Sequence, residues 1–342
     1  MTTLRPESIP HQYVDRETNT VATETLIADA LINQLYSRGR ENPSLLFKAA
    51  TSKRMSAVLG FLNFDLPLNG HHWNNAKRLK CMGLNLDECL DSPASLDTAR
   101  KIFERRIRYW QCRPMPEAED RIVSPADARM IVGSLDRHDS LFLKEKFFTF
   151  DELIGTDEPI WREAFSGGDF AVFRLTPDKY HYNHVPVSGR VEAIYEIDGC
   201  CHSCNPGAVV SLVTPYSKNR RVVTVIDTDV HGGTRIGLVA MIEIVAMMIG
   251  DIVQCYSAHA YDDPIVILPG MFLERGCPKS LYRPGSSIDV LIFQKDRVAF
   301  SVDILANMLR RDVSSRYSRH FQSPLVETDV KVRSEIGRRV AE

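Results

Sequence analysis

Three stretches of this 342-residue sequence bring together residue types that can activate a hydroxyl group. Asp127 ends the run Ser-Pro-Ala-Asp, His181 and His184 lie three residues apart, and Ser286 directly follows Gly285. A serine is a poor nucleophile until a base takes its proton, and a histidine is a better base when a carboxylate fixes its tautomer. Asp127, His184 and Ser286 can therefore form an acid, base and nucleophile set if the fold brings them together. Taken singly, they are equally typical of a turn or cap carboxylate, a core histidine and a turn hydroxyl.

Other chemical motifs in the sequence are incomplete. The run 200–204, Cys-Cys-His-Ser-Cys, has a thiol pair with a neighbouring histidine, but no second ligand pair stands at the spacing that a structural zinc needs. We therefore expect buried, unreactive thiols there and no metal site. The run 232–235, Gly-Gly-Thr-Arg, lacks the lysine of a phosphate-binding loop and is typical of a hairpin turn. Ser286 leads into a run typical of a strand, whereas the nucleophile elbow of an α/β-hydrolase leads into a helix.

The composition is that of a globular protein without a dominant charge. The 42 Lys and Arg residues nearly balance the 44 Asp and Glu residues, which leaves no global field for nucleic acid. The polar N-terminus lacks the apolar segment of a secretory signal. The longest nearly apolar run, 236–250, is shorter than the roughly 20 residues of a spanning helix and contains Glu243. The eight cysteines are too sparse for a disulfide scaffold, so we expect reduced thiols and a cytoplasmic protein.

The first third of the chain has helical periodicity that follows a loose N-terminal arm. Apolar residues recur at helical spacing over 23–37 and 43–61, and a third helix is predicted over 95–110. Basic residues flank the apolar face of the second helix, a pattern that more often covers a core but also suits an anionic membrane surface. In the third helix a solvated face is expected for Arg105, Arg106 and Arg108.

From Ile122 onward the pattern changes to short β-rich runs separated by turn residues. Strands are predicted over 171–175, 191–197, 209–213, 222–226, 238–244 and 288–293. The predicted fold is therefore α+β, with a helical N-terminal region over 1–114 packed on a mostly antiparallel β domain over 115–342. No internal repeat and no low-complexity segment interrupts this order.

The motifs, in their order along the chain, resemble those of the pyruvoyl-dependent, self-processing phosphatidylserine decarboxylases. The resemblance covers roughly residues 95–310. It rests on the runs 103–114 (FERRIRYWQCRP), 123–127 (VSPAD), 175–189 (LTPDKYHYNHVPVSG), 203–206 (SCNP), 218–222 (KNRRV), 242–250 (IEIVAMMIG) and 285–287 (GSS). The His-x-x-His element with a Gly-Ser pair downstream is its most specific part. The β domain is accordingly expected to have the fold of this family.

The resemblance implies that the chain is a proenzyme that cuts itself between Gly285 and Ser286. Ser286 would attack the Gly285 carbonyl carbon, and elimination and hydration of the ester would leave a pyruvoyl group on the new N-terminus, without a metal or a diffusible cofactor. Asp127 and His184 align with the family's acid and base for this step, and they suit it because a serine proton and an α-proton must leave. Glycine before the serine also favours the unusual backbone geometry of such a turn.

The resemblance further implies that the mature enzyme is a carboxy-lyase. The pyruvoyl carbonyl would react with the substrate amine and accept the electron pair released with carbon dioxide. His181 is then the candidate for returning a proton or positioning the substrate carboxylate. Three residues within or beside the motifs are expected to contact the substrate, namely Asn205, Tyr180 and Arg283.

Departures from the family pattern concern the substrate more than the reaction. Ala128 stands where the family has glycine, Val245-Ala246 replaces Gly-Ala, and 275–284 lacks the usual glycine- and acid-rich approach to the cut. We expect phosphatidylserine as the substrate, with a soluble amino acid as the alternative. The basic helices suit peripheral contact with the inner face of the cell membrane, and the family's habit predicts a homodimer.

Two other classes of function stay open on the sequence. A serine hydrolase would keep Ser286 uncut in a triad with His184 and Asp127 and would react with a serine-directed phosphonate. A pyruvoyl enzyme would react with a carbonyl reagent instead. A carrier of lipoyl or biotinyl groups is suggested by the run 185–191, VPVSGRV, but no lysine stands at the tip that such carriers modify.

Overall fold

Short strands dominate the computed structural model, which describes residues 10–26, 80, 84–136, 147–211, 214–246, 251–285 and 287–341. The strands are β1 Gln12–Asp15, β2 Thr20–Thr23, β3 Arg121–Val123, β4 Ala128–Ser134, β5 Asp169–Leu175, β6 Tyr182–His184, β7 Gly189–Ile197, β8 Arg221–Asp227, β9 Leu238–Val245, β10 Ile252–Gln254, β11 Phe272–Leu273, β12 Pro278–Tyr282, β13 Ser287–Phe293, β14 Val298–Phe300, β15 Thr328–Val330 and β16 Glu335–Arg339. The helices are α1 Ala99–Phe103, α2 Tyr109–Cys112, α3 Phe150–Ile154, α4 Pro159–Ala164, α5 Pro206–Ser211, α6 Pro215–Lys218, α7 Val302–Met308 and α8 Arg316–Phe321. None of these described helices has the length and hydrophobicity that crossing a bilayer requires.

One large sheet organises the molecule, with strands in the order β11-β7-β8-β9-β13-β5-β4-β15-β1-β2. Neighbouring strands in it are antiparallel except β1 and β15, which run parallel. Two three-stranded antiparallel sheets, β10-β12-β6 and β14-β16-β3, accompany it. The prediction of a mostly antiparallel β fold is thereby confirmed.

The strand β13 lies in the middle of the large sheet and is buried on both faces. Successive side chains of a strand point to opposite faces, and here Ile288, Val290 and Ile292 belong to one core cluster whereas Leu291 and Phe293 belong to the other. Seven registered pairs join β13 to β5 and seven join it to β9. The residues just after the expected cut are therefore anchored in the most buried part of the fold.

Five of the six predicted strands are confirmed, but the prediction over 209–213 is wrong for its described residues, 209–211. Residues Pro206–Ser211 form helix α5 instead. The Asn205 side chain accepts a hydrogen bond from the Gly207 N–H (2.8 Å), and Pro206 takes the first helical position, which is a typical helix start. This local start signal outweighs the β-branched residues that follow.

The N-terminal region differs from the expectation where it is described. Strands β1 and β2 form a hairpin on the edge of the large sheet, so the predicted loose arm is wrong over those residues. The predicted helix over 43–61, and that over 23–37 from residue 27 onward, lie outside the described residues. The third predicted helix divides into α1 and α2. The boundary between residues 114 and 115 stays a prediction.

Arg105, expected on a solvated face, points inward where helix α1 ends. It is buried and donates to the Ile102 carbonyl (3.0 Å) and the Asp178 carbonyl (2.9 Å). A buried guanidinium needs such acceptors because leaving its donors unpaired is costly. The break between the two helices therefore ties this segment to the loop that precedes the histidines.

Candidate active site

Strand β6 places the two histidines against the segment that leads to the expected cut. In the pairing of β6 with β12, His184 lies opposite Pro278 and Tyr182 lies opposite Leu281. One residue further back, the His181 carbonyl accepts the Tyr282 N–H (3.1 Å). His181 is thus opposite a residue only three positions before Gly285, whereas His184 is opposite one seven positions before it.

Two hydrogen bonds fix the ring of His184 and its tautomer. Its Nδ1 lies 2.8 Å from the Gly276 carbonyl oxygen, which can only accept, so Nδ1 carries the proton. Its Nε2 is then unprotonated and accepts from the Tyr180 hydroxyl at 2.9 Å. Burial lowers the pKa of His184 to about 3, so the ring is neutral at pH 7. A neutral imidazole is the form that can take a proton from another group.

Three tyrosines surround this histidine. The Tyr180 hydroxyl lies 2.8 Å from that of Tyr261, which also lies 2.9 Å from the Ile107 carbonyl. The ring of Tyr109 packs edge-on against His184 at 4.7 Å between centroids. Burial raises the pKa of Tyr109 to about 12 and also raises those of Tyr180 and Tyr261 above the ordinary value of a tyrosine. All three phenols therefore stay protonated at neutral pH, and they exclude water from the imidazole.

Asp127 is paired with Arg113, a residue that the sequence analysis did not predict as part of the site. Arg113 donates from Nε to Oδ1 (3.0 Å) and from Nη2 to Oδ2 (2.7 Å), and the Val332 N–H also donates to Oδ1 (2.8 Å). Burial alone would raise the pKa of Asp127, but the paired guanidinium lowers it to about 2. Arg113 also contacts Glu88 at 3.0 Å. Asp127 is therefore an ionised carboxylate at any working pH.

The described contacts bring Asp127 and His184 into one region without joining them by a hydrogen bond. The backbone N–H of His184 donates to the carbonyl of Pro125 (2.7 Å), which lies two residues before Asp127. The direct bond expected of a relay is absent because Arg113 and Val332 take the carboxylate, whereas Gly276 takes the Nδ1 proton. Ser286 lies outside the described residues, so its place in the set stays a prediction.

His181 is fully buried, and neither of its ring nitrogens has a hydrogen-bond partner. Its ring stacks on Phe103 with centroids 3.4 Å apart. Burial, followed by the charge of Arg105, lowers the pKa of His181 to about 3. Buried polar atoms are rarely left unpaired, and such atoms often mark a place where a ligand or reacting group completes the site.

The expected cut lies where the chain passes from the small sheet to the large one. Gly285 has a φ of 148°, a backbone region that favours glycine. Ser287 directly begins strand β13. Arg283 is exposed and its N–H donates to the Asp251 carbonyl (3.1 Å). The predicted substrate contacts of Arg283, Tyr180 and Asn205 stay predictions, and here Tyr180 holds His184 whereas Asn205 caps α5.

The cysteines and one acidic cluster are the described residues that bear on a metal site, and the expected absence of a metal stays a prediction. Burial raises the pKa of Cys255 to about 12 and that of Cys277 to about 11, which keeps both thiols protonated at neutral pH. The described group with the geometry to hold a cation is His11, Glu24 and Glu327. Arg174 already neutralises both of these carboxylates, with contacts of 2.6 to 2.9 Å.

Comparison with known proteins identifies what this geometry belongs to. The family model described as phosphatidylserine decarboxylase matches residues 99–308. The chain belongs to the phosphatidylserine decarboxylase family. The recognition made from the motifs is thereby confirmed, and with it the class of enzyme, a carboxy-lyase of phospholipid metabolism. Residues 99–308 include Asp127, both histidines and the Gly285-Ser286 pair.

Individual relatives agree with the family match. The chain is 32% identical over 231 residues to the "phosphatidylserine decarboxylase proenzyme 2" of rice, which covers 66% of this chain but only about a third of that one. It is 26% identical over 298 residues to the "phosphatidylserine decarboxylase proenzyme" of Chlamydia trachomatis, covering 86% of this chain and 90% of that one. The proenzyme of Ruminiclostridium cellulolyticum is 27% identical over a similar span. All three relatives are named as proenzymes.

Proposed function

We propose that this chain is a proenzyme that cuts itself between Gly285 and Ser286 and then decarboxylates phosphatidylserine. The observation that carries the proposal is the neutral, unpartnered imidazole of His181 opposite Tyr282, in a region that also holds the fixed tautomer of His184. Two buried neutral bases on and beside strand β6, which pairs with the segment leading to Gly285, suit a site that must remove protons from a backbone segment. Family membership and the precursor names of the relatives support the same conclusion.

The proposed cut begins with the Ser286 hydroxyl and ends with a pyruvoyl group and free ammonia. The Ser286 hydroxyl oxygen bonds to the Gly285 carbonyl carbon while the hydroxyl proton leaves to a base, and the carbon–nitrogen bond then breaks as the amine takes a proton. Removal of the Ser286 α-proton expels the Gly285 carboxylate and leaves a carbon–carbon double bond. Tautomerisation and addition of water release ammonia and leave the pyruvoyl group. The residues present fit this group because Gly285 can adopt its φ of 148° and Ser287 begins a fully buried strand.

The roles of the two histidines follow from their positions. His184 accepts from Tyr180 and is the proposed base of the cut, with Asp127 as the ionised group that fixes Arg113 beside it. His181 is opposite the segment nearest the cut, and its free nitrogens suit proton return or substrate positioning. The pyruvoyl group supplies an electron-withdrawing carbonyl to the substrate amine. The protein residues exclude water and move protons.

Intact mass measurement under denaturing conditions tests the cut. The wild-type chain should give two pieces, 1–285 and 286–342. The mass of the smaller piece should be lower than the mass of its sequence by that of one ammonia, and a carbonyl reagent should label this piece. The variant Ser286→Ala should remain one chain. The variants His184→Ala and His181→Ala distinguish a role in the cut from a role in decarboxylation. If a histidine acts only in decarboxylation, its alanine variant is still cut. A wild-type chain that stays whole in active preparations would refute the proposal in favour of an uncut serine hydrolase.

The substrate is tested by release of carbon dioxide from phosphatidylserine in mixed micelles and from free amino acids. We expect release from the phospholipid. Release from a free amino acid alone would favour the second candidate, a decarboxylase of a soluble substrate, which the departures at Ala128 and over 275–284 keep open. The homodimer implied by the resemblance stays a prediction that light scattering on a size-exclusion column tests.

Peripheral contact with an anionic membrane is part of the proposal, and helix α7 offers the described surface that suits it. Three aliphatic side chains of this segment are 39% to 80% exposed on one side of the helix, namely Val302, Leu305 and Leu309. The segments next to α7 in the chain, and strand β16 that pairs with β14 before it, carry exposed arginines without an acidic partner in the described residues, namely Arg297, Arg311, Arg338 and Arg339. Exposed apolar residues together with such arginines suit the interface of an anionic bilayer.

Vesicle sedimentation tests this surface. The wild-type protein should sediment with vesicles that contain phosphatidylglycerol and not with vesicles of phosphatidylcholine alone. The variant Leu305→Asp should lose this binding. Ile160→Asp, which changes a side chain that is 70% exposed on helix α4, is the matched control and should bind as wild type does. Equal binding by both variants would contradict the assignment to α7.

A further inference from the structure

A buried polar cluster lies on the two strands that flank Gly285. From β12 it takes Lys279, Ser280 and Tyr282, and from β13 it takes Asp289, all of them fully buried. These strands belong to different sheets, β12 to the small sheet and β13 to the large one. The cluster therefore connects the two sheets at the point where the chain would be cut.

An ion pair forms one half of the cluster. The Lys279 ammonium lies 2.7 Å from the Glu243 carboxylate and 3.0 Å from the Gln254 side-chain oxygen. Glu243 also accepts from Ser280 and from Asn183 (3.1 Å). A fully buried pair of this kind persists only when further hydrogen bonds satisfy both partners, as they do here. The charge of Lys279 is thus neutralised by the carboxylate of Glu243.

A second carboxyl group stands directly opposite Glu243. The register of β13 on β9 pairs Asp289 with Glu243, yet no cation of the described residues contacts Asp289. Burial, followed by the charge of Glu243, raises the pKa of Asp289 well above its ordinary value. Two like charges cannot both persist at such a site without a second counterion. The surroundings of Asp289 therefore favour its neutral, carboxylic acid form.

The hydroxyl of Tyr282 connects this acid to both sheets. It lies 2.8 Å from Asp289 Oδ1 and 2.8 Å from the Ile288 carbonyl, and it accepts from the Ile244 N–H at 3.0 Å. In the described part of the chain, the hydrogen bonds between β12 and β13 all run through this one hydroxyl. Before the cut, Gly285 and its neighbours also hold the two strands together. After the cut, the phenol remains as the direct hydrogen-bonded link between β12 and β13 in the described residues, while Lys279 and Ser280 still join β12 to β9 through Glu243.

We propose that Tyr282 and Asp289 form a clamp across the cut, as positioning residues that keep the end of the 1–285 piece against the start of the 286–342 piece. This inference rests on the proposed self-cleavage. Strand β13 is secured by its two neighbours, but the end of β12 pairs only with β6 and β10. Losing the clamp would let the freed end of β12 move, together with the carbonyl of His181 that Tyr282 engages. We therefore expect loss of the clamp to slow decarboxylation and to leave the rate of the cut unchanged.

Two substitutions of Asp289 distinguish the clamp from a simple packing role. Asp289→Asn keeps the shape of the side chain and the oxygen that lies 2.8 Å from the Tyr282 hydroxyl, and it carries no charge, as the favoured form of Asp289 does. Asp289→Leu keeps approximate volume but removes that acceptor. A residue needed only as a packing element would not separate these two variants in this direction.

The experiment compares the wild type with Tyr282→Phe, Asp289→Asn and Asp289→Leu. Tyr256→Phe is the matched control, because Tyr256 is buried in the same region of the core and its hydroxyl accepts from the Glu274 N–H (3.1 Å) away from the cut. Intact mass gives the fraction cut, a carbonyl reagent gives the pyruvoyl content, and carbon dioxide release gives kcat per pyruvoyl group and KM.

We expect Tyr282→Phe and Asp289→Leu to be cut to the wild-type extent while kcat per pyruvoyl group falls about tenfold, the usual cost of one buried hydrogen bond near a site. Asp289→Asn and Tyr256→Phe should keep the wild-type kcat. Unchanged kcat in Tyr282→Phe, an equal loss in Tyr256→Phe, or a failure of Tyr282→Phe to be cut would overturn the clamp alone. An uncut wild-type chain would overturn the proposed function and the clamp with it. If Tyr282→Phe does not fold, the contrast between the two Asp289 variants decides.

Discussion

The carboxylate of Asp127 gives the sharpest test of the site, through the variant Asp127→Asn. Ser286→Ala serves as the parent, because it keeps the chain whole and makes unfolding a single-chain process. In the folded chain Arg113 lowers the pKa of Asp127 to about 2 against an ordinary 3.8. A drop of that size corresponds to about 2.5 kcal/mol of stability at pH 7, since each pKa unit is worth about 1.36 kcal/mol.

The sign of the pH dependence follows from the lowered pKa. Between pH 2 and 3.8 the unfolded chain binds more protons at Asp127 than the folded chain, so the contribution is complete above that range and is lost as the pH falls through it. About half of the contribution, roughly 1.3 kcal/mol, should remain at pH 3. The asparagine has no such titration, so the difference between parent and variant should narrow on acidification.

Urea unfolding followed by tryptophan fluorescence measures the effect at pH 7 and at pH 3. We expect Asp127→Asn to lose at least about 2 kcal/mol at pH 7, because the buried Arg113 also loses a charged partner. The control is Asp312→Asn, which removes an exposed carboxylate paired with Arg310 (2.5 Å) and should leave the urea midpoint unchanged. A variant as stable as its parent at pH 7, or a difference that does not change with pH, would refute the buried ion pair.

Three further predictions concern the histidines and the turn. Tyr180→Phe removes the donor to His184 and should slow the cut about tenfold in a time course of intact masses. Tyr182→Phe should not, because the Tyr182 ring packs against Tyr180 (5.6 Å) and Tyr261 (5.0 Å), and phenylalanine keeps that ring. His181 and His184, each with its pKa lowered to about 3, bind fewer protons than the unfolded chain between pH 3 and 6.5. The urea midpoint of the Ser286→Ala parent should therefore be level above pH 6.5 and fall below it, and a level midpoint down to pH 5 would contradict their burial. Gly285→Ala should block the cut in intact mass, because the φ of 148° at the cut is strained for alanine. Gly270→Ala, at a φ of 88° that is strained for alanine too, lies before β11, four strands from β13 in the sheet, and should be cut normally.

The sequence predicted much of the sheet because its signals are local. Alternating and continuous apolar runs mark β5, β7, β8, β9 and β13 to within a few residues, and the Gly-Gly run marks the turn between β8 and β9. The same kind of local reading failed at 209–213, where a cap and a proline overrode β-branched residues. It also missed β1, a short strand whose partner β15 lies more than three hundred residues away in the chain.

The sequence by itself determined which chemical groups are present and in what order, from Asp127 through the two histidines to Gly285. Only the tertiary structure decided what each of them contacts. Arg113 takes the carboxylate of Asp127, Gly276 sets the tautomer of His184, and Tyr282 meets Asp289 across the turn. These partners come from segments that sheet order and register bring together, and a pattern of neighbouring residues does not encode such pairing. For that reason, motif spacing suggested a direct Asp–His relay whereas the fold pairs each member with a different partner.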